Sequence, residues 1–137
     1  MTTPVKRIHL TAACGTGMGT LACILKEMGY EVTGSDQNVY PPMSDFLEQN
    51  GITLFSGYDP SNISTDPDRV PDLVIIGNAI SRDNPEAMAV MERGIDYMSM
   101  PQAVNRFLAK DKKIILVTGT HGKTTTTSLL AAIFDAA

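Results

Sequence analysis

A chain of 137 residues with 43% hydrophobic and 19% charged residues has the length of one ordinary domain and enough apolar material for a packed core, which argues against disorder. Lys and Arg number 11 against 15 Asp and Glu, a formal net charge of -4 without any basic run, so a broad nucleic-acid or anionic-membrane surface is excluded as well. No apolar run approaches the roughly 18 to 20 residues of a membrane span, and Met1 to Arg7 leads into a strand-like segment in place of a signal peptide, so the chain reads as cytoplasmic.

Short apolar runs alternate with helical patterns, the mark of a parallel-sheet α/β fold. Ile8 to Ala12 is predicted as a first strand, followed by a glycine-rich loop and a helix with Met18, Leu21, Ala22, Leu25 and Met28 on one face and Gly29 as its cap. Glu31 to Ser35 forms a second strand, a short helix begins at Ser44 and ends at Asn50-Gly51, and Thr53 to Ser56 forms a third strand. Tyr58 to Pro71, rich in Asp, Pro, Ser and Asn, reads as a mobile surface loop with no catalytic part. Leu73 to Ile76 is apolar throughout and suits a sheet covered on both faces.

Asn84-Pro85-Glu86 supplies an N-cap, a proline at the first helical position and an acid in the first turn, with Gly94 closing that helix. Tyr97 to Ser99 is a short fifth strand, and Pro101 opens a helix with Val104, Phe107 and Leu108 on one face. Beyond the charged connector Lys110 to Lys113 come a predicted strand, Ile114 to Thr118, a second glycine loop and a helix carrying Leu129, Leu130, Ile133 and Phe134. The expected organisation is a Rossmann-like parallel-sheet domain over 1–111, then the first strand, P-loop and helix of an incomplete ATPase domain over 112–137. That second piece needs a sheet the sequence does not contain, so the chain is expected to be the N-terminal part of a longer protein.

The first loop, Ala13-Cys14-Gly15-Thr16-Gly17-Met18-Gly19, lies between a strand and a helix, where backbone amides and the positive helix end hold a pyrophosphate. Asp36 closes the next strand about 20 residues on, the place of a ribose-binding acid in dinucleotide folds. Close packing of helix on strand is the alternative role of these glycines. Asn78 and Ala79 follow the fourth strand and are expected at the same crevice, or to form a plain strand-to-helix turn. In the second loop, Gly119-Thr120-His121-Gly122-Lys123-Thr124, amides wrap phosphate oxygens, Lys123 reaches the terminal phosphates and Thr124 ligates Mg²⁺. The loop is shorter than G-x-x-x-x-G-K-[ST], and its residues also suit an empty helix cap. His121 is either a ligand contact or a loop residue. His9, within an apolar run, reads as a satisfied core or strand-end histidine, and Cys14 and Cys23 as free thiols.

Gly-Thr-His-Gly-Lys-Thr-Thr125 after an apolar strand, behind a Rossmann-like unit whose second strand ends in Gly34-Ser35-Asp36, resembles the Mur ligase family, the ATP-dependent amide-forming enzymes of peptidoglycan metabolism. Asn38 to Ser44, Ile76 to Ala79 and Asn84 to Glu86 resemble its peptide-joining, murein-recycling branch, and the alanine-adding branch shares both glycine loops. One departure is Ala12, which stands where relatives carry the first glycine of the loop. The resemblance implies that Cys14 to Gly19, Ser35, Asp36, Asn78 and Ala79 bind UDP-N-acetylmuramate, with Ser35 and Asp36 near the uridine. It also implies that Gly119 to Thr125 bind ATP with Mg²⁺ on Thr124, and that Lys123 and Thr124 serve phosphoryl transfer to the muramyl carboxylate before a peptide amine attacks. A nicotinamide-dependent dehydrogenase domain, supported by the first loop and Asp36 alone, and a nucleotide-binding module without chemistry are the competing readings.

Overall fold

The structure is a computed structural model that describes residues 4–136. Five strands, β1 (Arg7–Thr11), β2 (Glu31–Asp36), β3 (Thr53–Ser56), β4 (Leu73–Ile76) and β5 (Tyr97–Ser99), pair in parallel in the order β3-β2-β1-β4-β5. The helices are α1 (Thr16–Glu27), α2 (Met43–Gln49), α3 (Pro85–Glu92), α4 (Met100–Ala103), which continues as a π-helical stretch over Val104–Leu108, and α5 (Lys123–Asp135).

Strand alternation explains how the layers form. Ile8 stands opposite Val32 and Leu73, and Leu10 opposite Gly34 and Ile75, so these side chains share one face of the sheet. They pack there with Met18, Leu21 and Leu25 of α1 and Leu47 of α2. Burying each such leucine contributes roughly 1.5–3 kcal/mol. Val74 points to the opposite face, where it meets Val90 of α3 and Ile63. Helices thus leave β1 and β4 on opposite sides, the condition for a crevice at the carboxyl ends of those strands.

Several expectations are corrected. Ala12 adopts a left-handed φ of 57° and ends β1 one residue early. Met28 lies past the end of α1 and is exposed, because Gly29 (φ 95°) turns the chain away from the core. Helix α2 starts at Met43 behind Pro42, so Ser44 is a buried first-turn residue and not its start. The segment after β3 is only partly a surface loop: a 3₁₀ turn, Pro60–Asn62, leads to the fully buried Ile63, and Arg93 donates to the carbonyls of Pro60 and Ile63. The predicted strand Ile114 to Thr118 does not form. A strand needs a neighbour to take its N–H and C=O groups, β5 ends the sheet, and Leu116 is 82% exposed.

Candidate functional site

At the carboxyl ends of the strands lies a cleft of about 670 Å³. The β1–α1 loop forms one wall. Ala13 donates its N–H to the Ser35 carbonyl (3.0 Å), and Cys14 donates its N–H to Asp36 Oδ2 (2.9 Å), which sews the loop to the end of β2. Gly15 occupies the N-cap of α1 in extended conformation and, lacking a side chain, caps nothing. The first intrahelical bond runs from Gly19 N–H to Gly15 O at 2.7 Å, so the amides of Thr16, Gly17 and Met18 precede it at the positive end of the helix. That is the backbone geometry of an anion site.

The glycines divide the two roles the sequence left open. Gly15 keeps the helix end free of a side chain. Gly19 allows close packing, since a Cβ there would lie 2.8 Å from Met43 Sδ and 3.2 Å from the Ala13 carbonyl oxygen.

Asp36 stands at the mouth of the loop, and its second oxygen accepts the Asn38 N–H at 2.9 Å. Tyr58 also lines the cleft, and its phenol is pushed up by burial first and then by the Asp36 carboxylate. Burial, then Asp36, also raises the Cys14 thiol, which keeps it protonated and poorly nucleophilic. Of the residues singled out from sequence, Cys14, Gly15, Thr16, Asp36 and Ala79 line the cleft. Gly17 is exposed beside it, while Asn78 is exposed but not part of the lining. Met18 packs into the core, as the apolar face of its helix predicts, and the Ser35 hydroxyl is fully buried, so neither side chain lines the cleft. Both follow from alternation and helix phase, which turn these positions inward.

Sequence reasoning missed Asn38, Tyr40 and Tyr58 as cleft residues, since loops carry no periodicity. It also missed the role of Glu86. Beyond serving as a first-turn acid, Glu86 is completely buried: its Oε2 accepts from Ser35 Oγ, and its Oε1 accepts from Asn62 Nδ2 at 2.6 Å. His9 Nε2 lies 3.7 Å from the same carboxylate, with His9 Nδ1 2.8 Å from Thr33 Oγ1. Burial opposes the charge on Glu86, but the nearby His9 imidazole and the hydrogen bonds from Ser35 and Asn62 outweigh it and hold the carboxyl below its ordinary range. The core histidine expected from sequence is therefore present and satisfied.

The second loop also opens a helix without a side-chain cap. Gly119 (φ 146°) and Gly122 (φ 75°) take backbone conformations that L side chains rarely adopt. Lys123 Nζ donates to the Gly119 carbonyl at 2.7 Å, His121 Nδ1 lies 3.2 Å from Thr120 Oγ1, and Thr124 and Thr125 are exposed on the first turn. An ammonium, a hydroxyl and free amides suit phosphate oxygens and one ligand of a hard cation. Among the described residues no group of three His, Cys, Asp or Glu side chains could complete a metal site.

A family model described as "Mur ligase family, catalytic domain" matches residues 7–112. The chain is 51% identical over 129 residues to the UDP-N-acetylmuramate--L-alanyl-gamma-D-glutamyl-meso-2,6-diaminoheptandioate ligase of Escherichia coli (strain K12), covering 94% of this chain and 27% of that protein. It is 40% identical over 131 residues to the UDP-N-acetylmuramate--L-alanine ligase of Dictyoglomus turgidum, covering 95% and 26%. The solved structure of a murein peptide ligase from Psychrobacter arcticus 273-4 matches with a TM-score of 0.84 at 43% identity, over 92% of this chain and 25% of that one. The chain thus spans about a quarter of the length of the curated relatives it matches.

Proposed function

The chain belongs to the Mur ligase family, and we propose that it is the N-terminal part of an ATP-dependent ligase. That enzyme joins the amine of L-alanyl-gamma-D-glutamyl-meso-diaminopimelate to the carboxylate of UDP-N-acetylmuramate. The observation that carries the reading is the cleft, in which an uncapped helix N-terminus and an acid at the next strand end share one wall. In this reading residues 1–111 bind the UDP-sugar: the amides of Thr16, Gly17 and Met18 donate to the diphosphate, and Asp36, Asn78 and Ala79 flank the nucleoside side. Residues 112–137 open the ATP-binding domain, where Gly119 to Thr125 cradle phosphates and Thr124 gives one oxygen to Mg²⁺. Bound ATP would supply the phosphoryl group that activates the muramyl carboxylate. Lys123 neutralises charge on that group. Higher identity to peptide-adding than to alanine-adding relatives supports the peptide as amine substrate.

Titration calorimetry on this chain tests the first half: UDP-N-acetylmuramate binds and NAD does not, and the reverse result overturns the reading. In the longer ligase, Lys123→Ala should lower the ligation rate by about a thousandfold with UDP-N-acetylmuramate affinity unchanged. Ligation at the wild-type rate would remove Lys123 from the chemistry.

A further inference from the structure

Glu86 sits on the second residue of α3, beneath the cleft and outside its lining. Its carboxylate joins elements that the chain brings together from far apart. Through Ser35 Oγ it holds the end of β2, where the following residue, Asp36, binds the amides of Cys14 and Asn38. Through Oε1 it holds Asn62 and, at 3.4 Å, the N–H of Asp59, directly after Tyr58. Asp36 and Tyr58 both line the cleft. The Gly57 N–H closes the circuit on the Asp36 carbonyl at 2.8 Å.

We propose that Glu86 is a positioning residue for the cleft: its two oxygens set the β2 end and the Tyr58–Asp59 turn relative to each other, and so fix the shape of the wall that these two segments form. The consequence for ligand affinity rests on the reading of the cleft as a UDP-sugar site; the consequence for the geometry of the walls does not. A buried carboxylate is a poor way to stabilise a core, because desolvation offsets most of what its partners return, and an apolar residue of similar volume often serves as well. What it supplies instead is a rigid pair of acceptors with defined directions. The groups that face it are His9 from β1, whose other ring nitrogen meets Thr33, Ser35 from β2, and Tyr58, Asp59 and Asn62 from the β3–β4 crossover.

The test compares wild type with Glu86→Gln, which keeps the size but loses one acceptor and the charge, and with Asn62→Ala, which removes a half-buried partner and leaves the core intact. Amide and tyrosine-ring resonances of the 137-residue chain are followed by NMR, and UDP-N-acetylmuramate affinity by calorimetry. In Glu86→Gln, Cys14, Asn38 and Tyr58 should shift and the Asp59 amide should exchange about tenfold faster, while the amides of Leu10 and Ile75 stay protected. The Kd should rise about tenfold, and less in Asn62→Ala. A merely structural role would lower the melting temperature and leave the resonances of the folded cleft unchanged. Unshifted Cys14, Asn38 and Tyr58 resonances overturn the proposal, and if Glu86→Gln does not fold, Asn62→Ala decides on the same resonances. Shifted walls with an unchanged Kd overturn the affinity consequence. A wild type that does not bind the UDP-sugar at all overturns the functional reading, and the wall resonances then decide the positioning role alone.

Discussion

Two glycine loops in this chain each lead into a helix, yet α1 buries six residues and α5 buries none. Locally the two are alike: both lack a side-chain cap, and both follow an apolar run. They differ in what stands behind them. Helix α1 rests on β1, which is paired on both sides, whereas the run before α5 has no ladder partner and leaves Leu129, Ile133 and Phe134 about three-fifths exposed. Directly after Lys123, helix α5 also carries four consecutive threonines, whose β-branched side chains favour helix weakly, and 13 residues are marginal for an isolated helix. A glycine loop therefore specifies its backbone turn without specifying a packed helix behind it.

The contrast is tested most strongly in the two apolar stripes. Leu10→Ala should destabilise the chain by about 2–5 kcal/mol, since it empties a fully buried site, whereas Ile133→Ala should change stability by less than about 0.5 kcal/mol. Urea denaturation measures both. Equal effects would mean that α5 packs on the first unit in solution.

Glycine substitutions sharpen the comparison at intermediate size. Gly34 lies where an added Cβ would stand 2.5 Å from the Cβ of Ala13, so Gly34→Ala should cost about 1–3 kcal/mol and loosen the cleft loop. Gly122 has open space around it but a left-handed φ, so Gly122→Ala should strain only the start of α5 and leave the main unfolding transition in place. A shift of that transition by more than about 0.5 kcal/mol in Gly122→Ala would show that the two regions unfold together.

The smallest effect is that of pH, and it too belongs to the first region. Glu86 is held below its ordinary value despite burial, and so is Asp72, where the N–H groups of Arg7 and Lys6 outweigh burial. A carboxyl with a lowered folded value contributes stability that is present above its unfolded value and is lost as pH falls through the folded value. Melting temperature should therefore fall as pH is lowered from about 5 towards 3, and Glu86→Gln should flatten part of that slope. A Glu86→Gln slope identical to wild type would show that Glu86 takes up its proton equally in the folded and unfolded chain, so that its folded value is not lowered.

Much of this architecture was legible before any coordinates, for reasons tied to particular residues. Leu73 to Ile76 reads as a buried strand because four consecutive apolar residues suit only a sheet covered on both faces, and β4 has those bounds. Asn84-Pro85 marks the start of α3 because its chemistry is local: the Asn84 side chain accepts from the amides of Glu86 and Ala87. The first loop and Asp36 were legible as one site because strand, glycine and helix follow directly, and their meeting is the bond from Cys14 N–H to Asp36.

Partnership, in contrast, could be decided only by the tertiary structure. Ile114 to Thr118 has the composition of a strand, but strand formation depends on a neighbour that composition does not contain. Ser35 was expected beside Asp36 at the ligand, yet adjacent strand residues face opposite ways, and Ser35 turns inward to Glu86, 51 residues away. Ile63 and Asn62, in a stretch that reads as surface, are drawn in by Val74, Val90 and Glu86. Period, caps and turns are properties of a few neighbouring residues, so the sequence alone determines them. The pairing of a strand edge or a buried carboxylate depends on groups far along the chain, and only packing brings those together.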